Sequence, residues 1–251
     1  MDNALYVGLS KQMILRRELD IAANNMANVD TTGFKAESVI TQDDPLMPAR
    51  PLRGSTPIQY ALDTGVARDF GQGPLQPTGS PLDMAIQGQG FFQISTAAGT
   101  RYTRDGRFAT DGQGRLITQE GDPVLDTGGS PIALNPQGGP PQVGRDGSIT
   151  QSVPGQPQNV TVGRIGVVRF DSLSALSKQG DGLYSNTSTA QPAPAPEAIV
   201  SQGMLEGSNV QPIIQVTELI RISRAYEAIT QLVGNNSDLS NQSIQRLGSV
   251  Q

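Results

Sequence analysis

The side chains able to do covalent or acid–base chemistry are few in this sequence, and their spacing argues against each pairing. There is no Cys and no His among the 251 residues. That removes disulfides, thiolate metal sites, the commonest metal ligand and the commonest general base. Ser10-Lys11 and Ser177-Lys178 have the residue types of a Ser/Lys dyad, but adjacent residues on a helix do not face each other. Glu18 with Asp20 and Asp43 with Asp44 are carboxylate pairs of the kind that cleaves a glycosidic bond. The first pair falls on the polar side of a predicted helix and the second in a proline-rich stretch, so solvated charge is the plainer reading. Gly88 and Gly90 lack the third glycine and the following helix of a dinucleotide loop. Asp105-Gly106, Asp111-Gly112, Asp146-Gly147 and Asp181-Gly182 lack the alternating oxygens and closing Glu of a calcium loop and read as tight turns. The expectation is no catalytic residue, no cofactor, no metal and no enzyme.

Composition narrows the partners. A net charge of −5 is no nucleic-acid footprint. No apolar run reaches the roughly 18 residues of a membrane span, and the first residues, Met1-Asp2-Asn3-Ala4-Leu5-Tyr6, do not read as an ordinary cleaved secretion signal. Gly and Pro make up about a fifth of the chain, aromatics are 4%, and Trp is absent, a turn-rich composition short of large core side chains.

The prolines mark the elements. Residues 1–36 contain none, residues 37–203 contain 17, and the last is Pro212, so helix-competent ends flank a helix-hostile middle. From Ala4 to Ala27, Leu15, Leu19, Ala22 and Met26 recur at steps of 4, 3 and 4, with Leu5 and Leu9 extending the stripe; this predicts an amphipathic helix stopping near Asn25–Asn28. Near the other end Leu219, Ile222, Tyr226, Ile229 and Val233 step by 3, 4, 3 and 4, the seam of a coiled coil. Asn209 is the predicted N-cap, with Ser208 and Gln211 as an alternative capping box and Pro212 in the first turn. A helix from about 210 to about 247 would be ~57 Å long, unless Gly234-Asn235-Asn236 breaks it. Because both stripes lie at the extremes of the chain, they are expected to pack between molecules.

Between them, short β-type runs are predicted at 91–94, 101–103, 107–109, 115–118, 123–125, 160–162 and 166–170. Residues 40–80 read as extended chain with at most one hairpin, and Gln191–Pro196 as a stiff polyproline spacer. The expected fold is α+β: paired long N- and C-terminal helices forming a coiled-coil-like, tube-forming domain (1–36 and 204–251), an extended Pro-rich connector (37–80), and an inserted all-β outer domain (81–203).

Three stretches together carry a resemblance. Ala23-Asn24-Asn25-Met26-Ala27-Asn28-Val29-Asp30-Thr31-Thr32-Gly33-Phe34-Lys35 resembles the N-terminal signature of the flagellar rod, hook and hook-associated axial proteins. Met84–Phe92 with Tyr102-Thr103-Arg104-Asp105-Gly106 agrees, as does Leu205-Glu206-Gly207-Ser208-Asn209-Val210 followed by Glu218-Leu219-Ile220 and Arg224-Ala225-Tyr226-Glu227. The opening ten residues, and the lack of a long insertion after Lys35, are most similar to the proximal-rod members, with the distal-rod members second and hook-type members as the alternative.

The resemblance implies a structural subunit of the bacterial flagellar basal-body rod crossing the periplasm. Such subunits stack helically around an export channel, transmit torque, and pass unfolded through the flagellar type III export apparatus. Implied partners are copies of itself and other rod proteins, with no nucleic acid and no integral membrane span. The expected subunit-interface residues are the two stripes named above together with Asn24, Asn25, Asn28 and Phe34, with Gly33 permitting the turn. A peptidoglycan-acting enzyme would need a carboxylate of raised pKa in a cleft, and a β-rich adhesin would not self-associate through its termini; the 219–233 stripe speaks against both.

Overall fold

In a computed structural model the chain is described over residues 2–43 and 61–248, and it divides into two units. One is drawn from Met1–Ala27, Glu37–Arg68 and Gln211–Gln251, the other from Asn28–Ala36 and Asp69–Val210.

The first unit contains helix α1 (Asp2–Ala27), strands β1 (Glu37–Asp43) and β2 (Ala61–Arg68), and helix α2 (Pro212–Gly248). The strands form an antiparallel ribbon with Val39 opposite Val66 and a bulge between Ile40 and Thr41. The helices run antiparallel: the Gln12 amide donates to Thr230 Oγ1 at 2.9 Å, and the Asn25 amide reaches Gln215 Oε1 at 3.3 Å. Leu15, Ala22 and Ile222 are buried against one another, with Leu19, Leu219, Ala225, Tyr226 and Ile229 half-buried around them. α2 passes through Gly234-Asn235-Asn236 unbroken, since residues of low helix propensity cost only about 1 kcal/mol or less each in a helix.

The second unit is β-rich. Its early strands are β3 (Leu75–Pro77), β4 (Met84–Gln87), β5 (Phe91–Thr96), β6 (Gly99–Thr103), β7 (Ala109–Thr110) and β8 (Leu116–Ile117). Next come β9 (Gln142–Val143), β10 (Ser148–Gln151), β11 (Val160–Arg164), β12 (Val167–Arg169), β13 (Leu176–Gly180) and β14 (Leu183–Asn186). The last are β15 (Ala193–Pro194), β16 (Ile199–Gln202) and β17 (Met204–Glu206). A six-stranded sheet runs β13-β14-β6-β5-β12-β15, flanked by a three-stranded β11-β10-β9 sheet and the pairs β16-β4, β17-β3 and β7-β8.

Strand β5 explains the core. Successive strand residues point to opposite faces, and Phe91 and Phe92 are both buried, in different clusters. Phe92 packs with Met84, Ile86, Ile94, Phe108 and Ile165. Phe91 packs with Tyr102, Val168, Leu176 and Tyr184, and meets the Phe70 and Phe170 rings edge-on at 5.7 and 5.8 Å.

This architecture corrects the expected fold class. The chain is not a pair of long terminal helices with one domain inserted between them. Among the described residues there are two helices of unequal length, the N-terminal one the shorter, and the larger part of the chain is β. The β-rich unit is no single insert, because it also takes up residues 28–36, while the ribbon 37–68 goes with the helices. The physical reason lies in the seam reading, which followed one stripe per helix although each helix carries apolar residues on more than one face. The stretch read as a Pro-rich connector holds the antiparallel β1–β2 pair where the sequence allows one hairpin; residues 44–60, with Pro45, Pro48, Pro51, Pro57 and Asp44, lie outside the described residues.

Smaller departures follow from local chemistry. Residues 193–194 are not free spacer, since Pro194 lies opposite Val168 in the sheet. Of the Asp-Gly turns, Gly147 and Gly182 take positive φ (84° and 70°) but Gly106 does not; a Cβ on Gly106 would come within 1.6 Å of the Met84 carbonyl oxygen. Its requirement is close approach, not turn handedness.

Candidate functional site

The residues expected at a subunit interface fall into two groups. In the helical unit, Leu15, Ala22 and Ile222 are spent on packing within the chain, while Leu19, Met26, Leu219, Tyr226, Ile229 and Val233 are half-buried and Asn24 is exposed. Asn25 is fully buried and joins three elements. Its Oδ1 accepts the Glu37 amide N–H at 2.9 Å, and its Nδ2 donates to the Glu37 carbonyl at 2.8 Å and to Gln215. Pairing both backbone groups of Glu37 fixes the first residue of β1 against the end of α1, which is why an amide is needed there.

The rest lie in the β-rich unit. Asn28 Oδ1 and its carbonyl accept the Thr31 hydroxyl and amide. Gly33 has φ 68°, and a Cβ on it would meet the Arg104 carbonyl carbon at 2.7 Å. Phe34 is buried, with Lys178 Nζ 4.5 Å above its ring.

A second set of apolar residues on the helices is exposed, and of these the sequence reading places only Leu9 on a stripe. On α1, Tyr6, Leu9 and Met13 step by 3 and 4, with Tyr6 62% and Met13 68% exposed. On α2, Ile213, Val216 and Ile220 repeat that spacing, Ile213 being 82% exposed, and Leu232 and Leu239 follow seven residues apart. The signal was available, since each triple is itself a helical stripe. It was hidden because the longer stripe on each helix drew the assignment.

The β-rich unit holds a buried polar node. Lys35 Nζ donates to Glu206 Oε1 at 2.6 Å and to the Gly71 carbonyl at 2.7 Å. Arg104 donates to Glu206 Oε2 at 3.0 Å and to the Gly88 carbonyl at 2.8 Å. Glu206 Oε1 also accepts the Gly73 amide, and its backbone carbonyl accepts the Gly33 amide at 2.7 Å. The Lys35 and Glu206 side chains are 0% exposed and Arg104 4%. Burial, which penalises the ammonium, pulls the Lys35 pKa below its ordinary value, against the opposing pull of Glu206. Arg104 Nε is buried without a hydrogen-bond partner among the described residues, an omission that ordinarily costs about 1–3 kcal/mol.

Asn209 extends this node instead of capping α2, which begins at Pro212. Its Oδ1 accepts the Ala36 amide at 2.8 Å, and its Nδ2 donates to the Asp69 carbonyl at 2.8 Å and to that of Gly71 at 3.2 Å.

Beside the node a cavity of about 450 Å³ is lined by Asp69, Phe70, Phe91, Phe170, Arg104 and Arg169. Among the described residues no cluster of three or more Asp and Glu could hold a metal ion, and no helix is long and apolar enough to cross a membrane.

Three family descriptions match the chain in succession. They are the flagella basal body rod protein at residues 5–35, the flagellar hook protein FlgE/F/G D1 domain at 85–170, and the flagellar basal body rod FlgEFG protein C-terminal at 201–246. Each supplies one charge of the node: Lys35, Arg104 and Glu206. The flagellar basal-body rod protein FlgF of Caulobacter vibrioides is 52% identical over the whole of both chains. That of Mesorhizobium japonicum is 39% identical over 99% of each. The flagellar basal-body rod protein FlgG of Bacillus subtilis is 30% identical over 95% of this chain and 97% of its own. The relatives are rod proteins, not enzymes. On this full-length likeness the chain belongs to the flagellar basal-body rod protein family, is most like FlgF, and is a structural subunit of the rod.

Proposed function

We propose that the chain joins copies of itself and other rod proteins through the exposed faces of its helical unit, as part of the proximal rod. The carrying observations are two exposed stripes, Tyr6-Leu9-Met13 on α1 and Ile213-Val216-Ile220 on α2, at opposite ends of the antiparallel helix pair and both open to solvent in the single chain. Burying such side chains is worth about 25 cal/mol per Å², and head-to-tail contacts that do not close generate a helical filament. The half-buried residues Leu19, Met26, Leu219, Tyr226, Ile229 and Val233, with exposed Asn24, add partial surface to these contacts. Leu15, Ala22, Ile222 and Asn25 hold the helices and ribbon of one chain in shape to present the stripes, while Asn28, Gly33 and Phe34 set the backbone that follows α1.

The 52% identity to a FlgF protein supports the proximal-rod assignment. The family resemblance supports delivery through the flagellar type III export apparatus. The test is a cell in which the only copy carries Leu9→Ser with Met13→Ser, or Ile213→Ser with Ile220→Ser. The expected result is a folded protein that is not retained in isolated basal bodies and cells that do not swim. Basal bodies holding normal amounts of either variant would overturn the reading.

A further inference from the structure

The node places two cations, Lys35 and Arg104, on the single carboxylate of Glu206 away from solvent, with Arg104 Nε left unpaired and Asp69 the next nearest acid acting on Lys35. As a way of adding stability this is poor. Buried ion networks are often matched or bettered by apolar residues of similar volume, and their surer use is to select one arrangement over others.

The bonds have that selective character, because nearly all of them end on backbone. The Glu206 carboxylate takes the amide of Gly73 while its backbone carbonyl takes that of Gly33, Lys35 and Arg104 take the carbonyls of Gly71, Ile86 and Gly88, and Asn209 takes the Ala36 amide and the Asp69 and Gly71 carbonyls. Three of the stretches so held, 33–36, 69–73 and 206–209, are those through which the β-rich unit continues in sequence toward residues 37, 68 and 211 of the helical unit. Backbones here are also at close quarters: a Cβ on Gly73 would lie 2.0 Å from the Gly207 carbonyl oxygen.

We infer that Lys35, Arg104 and Glu206 are positioning residues: the node selects one backbone path for residues 33–36 and 206–210, and the rod accepts only a chain on that path. This goes beyond the reading of the helical faces and does not depend on which helix residues touch a neighbour.

The test uses the full chain with Lys35→Met, Arg104→Met and Glu206→Leu together, and Lys35→Arg as the conservative variant. The triple variant is expected to melt at or above the parent temperature, with amide exchange at residues 33–36 and 207–210 faster by about ten-fold or more and that of β5 and β6 unchanged. A strain carrying it as the only copy is expected not to swim, whereas Lys35→Arg keeps both local protection and swimming. Parent-like exchange at 33–36, or normal swimming despite local loss of protection, overturns the proposal. So does exchange that accelerates uniformly across the β-rich unit, which is what a merely stabilising node would give. Should the triple variant not fold, Glu206→Gln carries the same reading: acceleration confined to 33–36 and 206–210 supports it, and uniform acceleration overturns it. Failure of the helical-face reading looks different, because there Leu9→Ser with Met13→Ser would be retained in basal bodies while exchange at 33–36 stayed as in the parent.

Discussion

The β-rich unit seals its apolar surface and the helical unit does not. Of the large hydrophobic side chains left exposed among the described residues, Val160 alone belongs to the β-rich unit, while Tyr6, Leu9, Met13, Ile40, Ile213, Ile214, Val216, Ile220, Leu232 and Leu239 all belong to the helical one. The β-rich unit has two clusters on opposite faces of β5 and a charged node whose hydrogen bonds end largely on backbone. The helical unit has four buried apolar side chains on the described residues of its helices, Ile14, Leu15, Ala22 and Ile222. The first can fold on its own terms, whereas the second has a face that only another surface can cover. On the proposed reading, stability and assembly fall to different stretches of one chain.

The comparison breaks most visibly if its sealed half proves soft. Phe92→Ala empties a fully buried site between β4 and β12 and is expected to cost about 3–5 kcal/mol, seen as a lower melting temperature of the β signal in circular dichroism. A loss under about 1 kcal/mol would mean the core is not continuous. Next is Gly33→Ala, which adds a Cβ at φ 68° against the Arg104 backbone. Overpacking of that kind costs about 1–3 kcal/mol, and denaturant unfolding would read it.

Asn25→Ala removes the side-chain bonds to the Glu37 amide and carbonyl from a buried amide and is expected to cost about 1–2 kcal/mol. The loss should appear in the exchange of the β1–β2 ribbon and leave β5 and β6 untouched; a shared loss would erase the distinction between the units.

A smaller effect comes from pH. Lys35 is held below its ordinary pKa of 10.5, so between its folded value and 10.5 the unfolded chain binds more protons and stability rises with pH. Lys35→Met should remove that alkaline rise, detected as the difference between the two proteins' urea midpoints on going from neutral to alkaline solution. Smallest on the fold itself is Met13→Ser, where a change within about 0.5 kcal/mol is expected, although the same change is proposed to abolish incorporation.

How much of this was legible in the sequence depends on range. The end of α1 near Asn25, the Pro212 start of α2 and the strands at 91–96, 99–103 and 160–164 follow from local spacing and turn residues. Strands β4, β10, β13, β14 and β16 were not found: each has only four or five residues, and β4 and β16 become strands through each other across more than a hundred residues, Met84–Gln87 pairing with Ile199–Gln202. The node was illegible for the same reason. Lys35, Arg104 and Glu206 each stand beside an ordinary turn or strand, and only the fold brings two cations to one acid. Asn209 looked like a helix cap because Asn before Pro usually is one, yet its amide is claimed by Ala36, Asp69 and Gly71.

The bond from Lys35 to Glu206 spans 171 residues of sequence, and that span also sets a clock. At the usual ribosomal pace of about 5–20 residues per second, roughly 10–35 seconds separate the appearance of the two residues. During that interval the stretch after α1 has no carboxylate to fasten to, and Gly33 has no carbonyl to receive its amide. The Lys35–Glu206 bond therefore cannot form before residue 206 is made, and a truncated product lacking Glu206 never acquires it.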